Sequence, residues 1–357
     1  MSYFFLFGIT LMIAIGGLFF FRKIKLLDKP GSDLKNTRKP VPTLQGIFVL
    51  LAVMAGVGMV YPEYFSNPLF FGLLIPGLLI GFVEFIEELS YLGKLPKIPP
   101  LVRLIVHLLS AFLAVWIGGI GNQELIIGEL VYQIPNRIFT IAFMLWTMFC
   151  INAINWFDGI YAQGSGVSAI GFLTIFLLIK FVVFPSYEQF NNLEALLFVQ
   201  NLSFFLFLIS LIYTVIEYKP LGLVRDVGIM FFGFAIAYLS VAGGAKIGTL
   251  VVALSLAIFD AIWVGLWRIF IVKKNPLNGD YTHFHHRLLG LGFTRGETRA
   301  FIWIWSLMMM ILMLLQGANR LHKIIIFVMM ACLFFGLNAY LFLHKKLPCG
   351  LEVKKER

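Results

Sequence analysis

Apolar residues fall in long runs along this chain, separated by short polar connections. The first runs from Tyr3 to Phe21, and others of similar length lie near 44–61, 69–86, 101–120, 138–154, 166–185, 196–216, 227–243, 248–271, 299–316 and 324–343. A helix needs about 20 apolar residues to cross the hydrocarbon of a bilayer. The pattern therefore predicts an all-α, polytopic integral membrane protein with eleven transmembrane helices. The first run has no basic residue before it and no small-residue cleavage site after it, and Arg22, Lys23 and Lys25 follow at once. It reads as an uncleaved first helix rather than a signal peptide.

Composition agrees with this and narrows it. Of 357 residues, 60% are hydrophobic and only 13% charged, and the mean hydropathy is +0.91, too apolar for one soluble core. Little chain is left for a soluble domain, and there is no internal repeat or low-complexity tract. The expectation is a single membrane-embedded domain over 1–343 and a basic cytoplasmic tail over 344–357. A net charge of +10 would suggest nucleic-acid binding in a soluble chain; here basic residues report loop orientation and attraction to anionic lipid. With the N-terminus outside, the inward connections and tail hold 21 of the 28 Lys and Arg residues and the outward ones only four, Arg137, Lys246, Arg320 and Lys323. The C-terminus is then cytoplasmic. Three cysteines without a CxxC pair give no support to a disulfide framework, redox chemistry or a zinc-thiolate site.

Polar residues at membrane depth are costly and mark sites or helix contacts, and here they gather at the ends assigned to the cytoplasm. Asn152 and Asn155 are three apart and share a helix face, and Asp158 continues that face if the helix persists. Two amides, a carboxylate and the glycines Gly159 and Gly164 can cradle a metal-bound phosphate; equally, the amides can be interhelical hydrogen bonders and Asp158 a helix cap. Arg225 and Asp226 open the eighth run, as a site or as a capping acid beside a snorkelling arginine. The stretch Asp280-Tyr-Thr-His283-Phe-His285-His286-Arg287 puts three of the six histidines in one connection. It lacks the further ligands of a transition-metal site and suits a pyrophosphate better. His107, four residues after Arg103 in the fourth run, reads as a packing or interface residue.

Taken in order, these motifs resemble the polyprenyl-phosphate N-acetylhexosamine-1-phosphate transferases, over nearly the whole chain. Asp28-Lys-Pro30 through Arg38-Lys39-Pro-Val-Pro42-Thr-Leu-Gln-Gly46 resembles the family's first cytoplasmic loop, Asn152-x-x-Asn155-x-x-Asp158-Gly159 its Asn/Asp motif, and Asp226-Val-Gly228 its Gly-Asp-Ser-Gly segment. Phe259-Asp260 with Arg268 resembles its ninth helix, and His283-x-His285-His286-Arg287 the histidine loop of its simple-sugar branch. Three positions depart from the pattern. The acidic pair ending the third span is either replaced by Glu87-Glu88 or reduced to Glu84 before Phe85; Tyr161 stands at the second acid after Asp158; Arg225 stands at the glycine before Asp226.

The resemblance implies transfer of a sugar-1-phosphate from a cytoplasmic UDP-sugar to a polyprenyl phosphate, releasing UMP, as a first step of cell-envelope glycan synthesis. It implies a homodimer in the inner (plasma) membrane with the active site facing the cytoplasm, and no nucleic-acid partner. Asp226 and Asp158 are then the metal ligands for Mg²⁺, or Mn²⁺ in its place, with Glu87 and Glu88 completing the catalytic acids. His283, His285, His286 and Arg287 grip the pyrophosphate, and Asn152 and Asn155 shape the nucleotide side. Two other readings are a catalytically impaired member acting in binding, and a transporter or flippase of anionic lipid-linked sugars. Transport would call for ionisable residues on both sides of the midplane, whereas the cluster here is one-sided.

Overall fold

The computed structural model describes residues 2–28, 40–121, 124–127, 130–185, 193–242, 254–273, 283–317 and 319–343. Its main elements are α1 (Ser2–Lys23), α2 (Gly46–Val60), α3 (Pro68–Tyr91), α4 (Pro100–Gly118), α5 (Asn136–Phe157), α6 (Gln163–Leu178), α7 (Leu193–Tyr218), α8 (Arg225–Ala242), α9 (Ser255–Leu266), α10 (Phe284–Gly290), α11 (Arg295–Leu315) and α12 (Arg320–Leu343). All but the short α10 correspond to the eleven apolar runs. Among the described residues nine helices are long and apolar enough to cross a membrane. The other two differ for local reasons. α2 has 15 residues, about 22 Å of rise, because residues 42–46 before and at its start are engaged by backbone hydrogen bonds to residues 222–224. α9 ends at Leu266 and continues as a wider π-helix over Trp267–Val272, and the start of its apolar run, residues 248–253, lies outside the described residues. The connection between α4 and α5 forms a small antiparallel hairpin of Glu124–Ile127 with Leu130–Gln133, which the apolar pattern does not signal.

α8 is the centre of the bundle, with α2, α3, α5, α6 and α7 packed around it. Every residue from Val227 to Val241 is buried, so its flanks are apolar all round. Small residues let neighbours approach. A Cβ on Gly233 would stand 2.8 Å from the Ile151 Cα of α5, and one on Gly46 at the start of α2 would collide with the Gly228 backbone. α4 and α12 lie outside, with Leu101, Ile105, Trp116, Leu321, Met329 and Leu333 exposed along apolar faces that suit lipid contact.

Candidate active site

Four acids converge at the end of the bundle that also carries Arg22, Lys23, Lys94, Lys97, Lys219 and Arg225. Glu84, Glu87 and Glu88 close α3 at the i, i+3, i+4 spacing of one helix face, and all three are buried. Arg103 and His107 of α4 receive the first of them. Arg103 donates from Nε to Glu84 Oε1 at 3.1 Å and from Nη2 to Oε2 at 2.5 Å, and His107 Nε2 lies 2.9 Å from Oε1. His107 is thus a hydrogen-bonding member of a buried ionic cluster rather than a packing or interface residue. Arg103 also reaches outward, Nη2 to Asp226 Oδ2 at 3.4 Å and Nη1 to Glu87 Oε1 at 3.7 Å. Such bridging matters because an unpaired buried carboxylate costs several kcal/mol.

The first-loop motif is sewn to the segment that presents Asp226. Leu223 N–H donates to Pro42 O at 2.9 Å, Gln45 N–H to Leu223 O at 3.0 Å, and Gly46 N–H to Val224 O at 3.2 Å. Thr43 Oγ1 donates to Glu88 Oε1 at 3.1 Å. Glu217, buried at the end of α7, accepts from Val224 N–H at 2.8 Å and from Ser165 Oγ at 2.7 Å, tying the segment to α6. Arg225 does not snorkel to solvent: its Nε donates to Glu88 Oε1 at 2.8 Å. Asp226 follows in the first turn of α8, where a negative charge also suits the helix dipole. Residues 29–39 of the first loop lie outside the described residues.

Asp158 does not continue the face of Asn152 and Asn155, because α5 ends at Phe157 and Asp158 is its C-cap. The chain turns there through Ala162 at φ +66°, and Asp158 Oδ1 accepts from Gly164 N–H at 2.9 Å. Asp158 thus ties the turn to a first-turn backbone N–H of α6, whose N-cap is Ala162. Asn152 Nδ2 donates back to Met148 O at 2.7 Å within its own helix. α5 and α8 are separated by three connections and run in opposite directions. From their crossing at Ile151 and Gly233, seven residues of each, about 10 Å of helix rise, lead to Asp158 and to Asp226. The two carboxylates stand at one level of the bundle.

The histidine connection docks beside the Asp158 turn on a buried acid. Asp260 of α9 is 1% exposed. Its Oδ2 lies 2.9 Å from His283 Nδ1, and its Oδ1 accepts from Phe284 N–H at 2.8 Å and from Arg287 Nη2 at 2.6 Å. Arg287 also donates through Nη1 to Asn338 Oδ1 of α12, and Arg268 Nη2 stands 3.4 Å from His283 Nε2. Burial pulls the Arg287 guanidinium below its ordinary pKa, and Asp260 opposes that pull. Toward α5, His283 lies 5.9 Å from the Trp156 ring and His285 is 6.0 Å from that of Phe157, packed so closely on Gly159 that no Cβ fits there. The structure thus brings His283 and His285 onto the end of α5 and the turn at Gly159, and Glu87 and Glu88 into the cluster around Asp226, while Asn152 turns back on its own helix. Asp280 lies outside the described residues.

Arg103, His107, Glu217 and Asn338 were not singled out as site residues from sequence. Arg103 and His107 carried a signal, an ionisable pair inside an apolar run at i, i+4; Glu217 and Asn338 carried none beyond being polar near or within spans. Among the described residues no group of three or more His, Cys, Asp or Glu side chains forms a metal cage. Magnesium is usually held by one or two carboxylates together with substrate phosphates. Asp226, with its side chain 33% exposed against 0% for Glu84, is the most accessible carboxylate of the cluster. That donor set fits a magnesium ion shared with a phosphate ligand.

Fold and site together define an all-α multi-pass membrane protein with a buried acid–arginine cluster around Asp226 and a histidine loop docked on Asp260. No profile of a known protein family matches the chain. A probable undecaprenyl-phosphate N-acetylglucosaminyl 1-phosphate transferase of Bacillus subtilis is 24% identical over 286 residues, covering 76% of this chain and 72% of its own length. An undecaprenyl-phosphate alpha-N-acetylglucosaminyl 1-phosphate transferase of Thermotoga maritima is 25% identical over 323 residues, 88% of each chain. Relatives and ordered motifs thus agree in a likeness to the undecaprenyl-phosphate N-acetylglucosaminyl 1-phosphate transferases.

Proposed function

We propose that this protein transfers N-acetylglucosamine-1-phosphate from a UDP-sugar to a polyprenyl phosphate, releasing UMP, at the basic end of the bundle. That end faces the cytoplasm of the inner (plasma) membrane, where the nucleotide sugar is found, and the product starts a cell-envelope glycan. The reading is supported by the acid–arginine cluster around Asp226 at the start of α8, by the histidine loop packed on the turn after α5, and by the relatives' names. An oxygen of the lipid phosphate attacks the sugar-bearing phosphorus, the phosphoanhydride bond to UMP breaks, and UMP leaves with the electron pair. A phosphate monoester has a second pKa near 6, so the attacking group is already mostly a dianion and needs no strong base.

Asp226 and Asp158 would hold Mg²⁺, which supplies charge neutralisation at the pyrophosphate when bound. His286, the one partly exposed histidine of the loop, would contact the phosphates, with His285 packed behind it against Gly159. His283 and Arg287 are buried and held by Asp260, Arg268 and Asn338, so they fasten the loop rather than grip the substrate. Asn152 and Asn155 line the nucleotide side. Arg103 holds Glu84 and Glu87 in place and limits the swing of Asp226. The exposed apolar faces of α4 and α12 meet lipid or, in the homodimer the resemblance implies, a second copy. The test is purified protein with polyprenyl phosphate, Mg²⁺ or EDTA and a panel of UDP-sugars. UMP release with UDP-N-acetylglucosamine that EDTA abolishes is expected; no release with any donor favours an impaired, binding member.

A further inference from the structure

Arg225 is the residue of this site least explained by packing. Its backbone lies at φ +60°, a left-handed conformation that glycine takes freely and L side chains rarely adopt. Nothing in the backbone hydrogen bonds of residues 222–224 requires a long side chain there, so the reason for an arginine lies in the guanidinium. That group is held along one edge only. Nε donates to Glu88 Oε1 at 2.8 Å, and Thr43 Oγ1 donates to the same oxygen, which holds Glu88 in turn. Among the described residues the two terminal nitrogens make no hydrogen bond, and the side chain is 26% exposed. It stands one residue from Asp226, with Arg103 on the other flank of that carboxylate.

We propose that Arg225 binds a phosphate group of the reacting substrates through its Nη1–Nη2 fork, with Glu88 as the positioning residue that aims it. The inference rests on the transferase reading above. A planar fork matches two phosphate oxygens at once, a geometry an ammonium cannot copy. Fastening Nε to a buried carboxylate removes most of the rotamer freedom that binding would otherwise have to freeze. An arginine guanidinium stays protonated in proteins, so the fork carries its charge to the phosphate. The phosphate belongs either to the pyrophosphate of the nucleotide sugar or to the prenyl phosphate acceptor; the chemistry is the same.

The test is direct binding of UDP and of farnesyl phosphate to the full chain in lipid nanodiscs, with Arg225→Gly, Arg225→Asn, Arg225→Lys and Glu88→Gln variants. Gly and Asn both tolerate the left-handed backbone. Either should weaken one of the two ligands by about 10- to 100-fold, as expected for loss of a charge-assisted pair; weakened UDP identifies the donor phosphate and weakened farnesyl phosphate the acceptor. Arg225→Lys should recover only part of the loss, and Glu88→Gln should weaken the same ligand about 3- to 10-fold. If Arg225→Gly binds both ligands as tightly as the unmodified chain, the proposal is overturned, whatever its thermal stability. Should Arg225→Gly and Arg225→Asn fail to fold because Glu88 is left unpaired, the double variant Glu88→Gln/Arg225→Asn carries the same measurement. Binding is read without turnover, so a chain inactive with every donor defeats the transferase reading and leaves this test intact.

Discussion

Replacing Glu84 by Gln keeps the shape of the side chain and removes the charge that Arg103 and His107 converge on. Glu84 is fully buried, and Arg103 is 20% exposed, so solvent compensates little. Breaking a buried ion pair from one side costs about 3–5 kcal/mol. Arg103 retains Asp226 and Glu87 within 4 Å, which lowers the expected cost to about 2–3 kcal/mol on the same basis. The same retention draws the guanidinium toward Asp226, at 3.4 Å in the intact site. Glu84→Gln should therefore lose activity as well as stability, by about 100-fold if some 2.7 kcal/mol of transition-state stabilisation goes. The assay is a double-mutant cycle: unfolding free energy in mixed micelles for Glu84→Gln, Arg103→Gln and the pair. The double variant should be less destabilised than the sum of the singles by about 2 kcal/mol, because it leaves no orphaned charge. Additive single effects would refute the ionic cluster as the origin of the cost.

Asp226→Asn should abolish turnover while the protein keeps its thermal transition, since the site loses its most exposed carboxylate but no buried one; near-normal activity would remove Asp226 from the chemistry. Asp260→Asn should release the histidine loop and slow turnover about 100-fold, and Asn338→Ala about 3- to 10-fold, within the range of a lost charged hydrogen bond; protease cleavage in the 283–290 segment should rise in parallel, and unchanged cleavage would refute the docking role. Glu87→Gln and Glu88→Gln should each reduce the rate about 10- to 1000-fold, a barrier change of roughly 1.4 to 4 kcal/mol, read from initial rates of UMP release; full activity in both would exclude these acids. A cysteine at Lys97 should be shielded from an impermeant thiol reagent in intact cells and one at Glu63 should label; the reverse pattern would invert the orientation.

The helices were legible because a bilayer demands long apolar runs, and such runs are a one-dimensional signal. Where tertiary contacts set an end, the signal failed. Nothing in the run 44–61 says that backbone bonds to residues 222–224 delay α2 to Gly46. The site divided in the same way. Asp158, Asp226 and the histidines could be found because each sits in a compact polar motif at a span end. Asp260 was visible as an acid, but its work was not, because its partners His283 and Arg287 are 23 and 27 residues on and Asn338 is a further 51 beyond Arg287. Glu84, Glu87 and Glu88 share a face, so spacing alone cannot say which one Arg103 takes; that depends on the packing of α3 against α4. The left-handed backbone of Arg225 leaves no trace in composition or period.

The central claim is that the sugar-bearing phosphate moves to the lipid at the Asp226 site. UDP-N-acetylglucosamine labelled with ³²P at the sugar-bearing phosphate, given to purified protein with Mg²⁺ and polyprenyl phosphate, tests it directly. The label should pass into the lipid fraction with unlabelled UMP as co-product, and should remain on the nucleotide sugar with Asp226→Asn. Label released as free sugar phosphate, or lipid labelling that survives Asp226→Asn, would contradict the account.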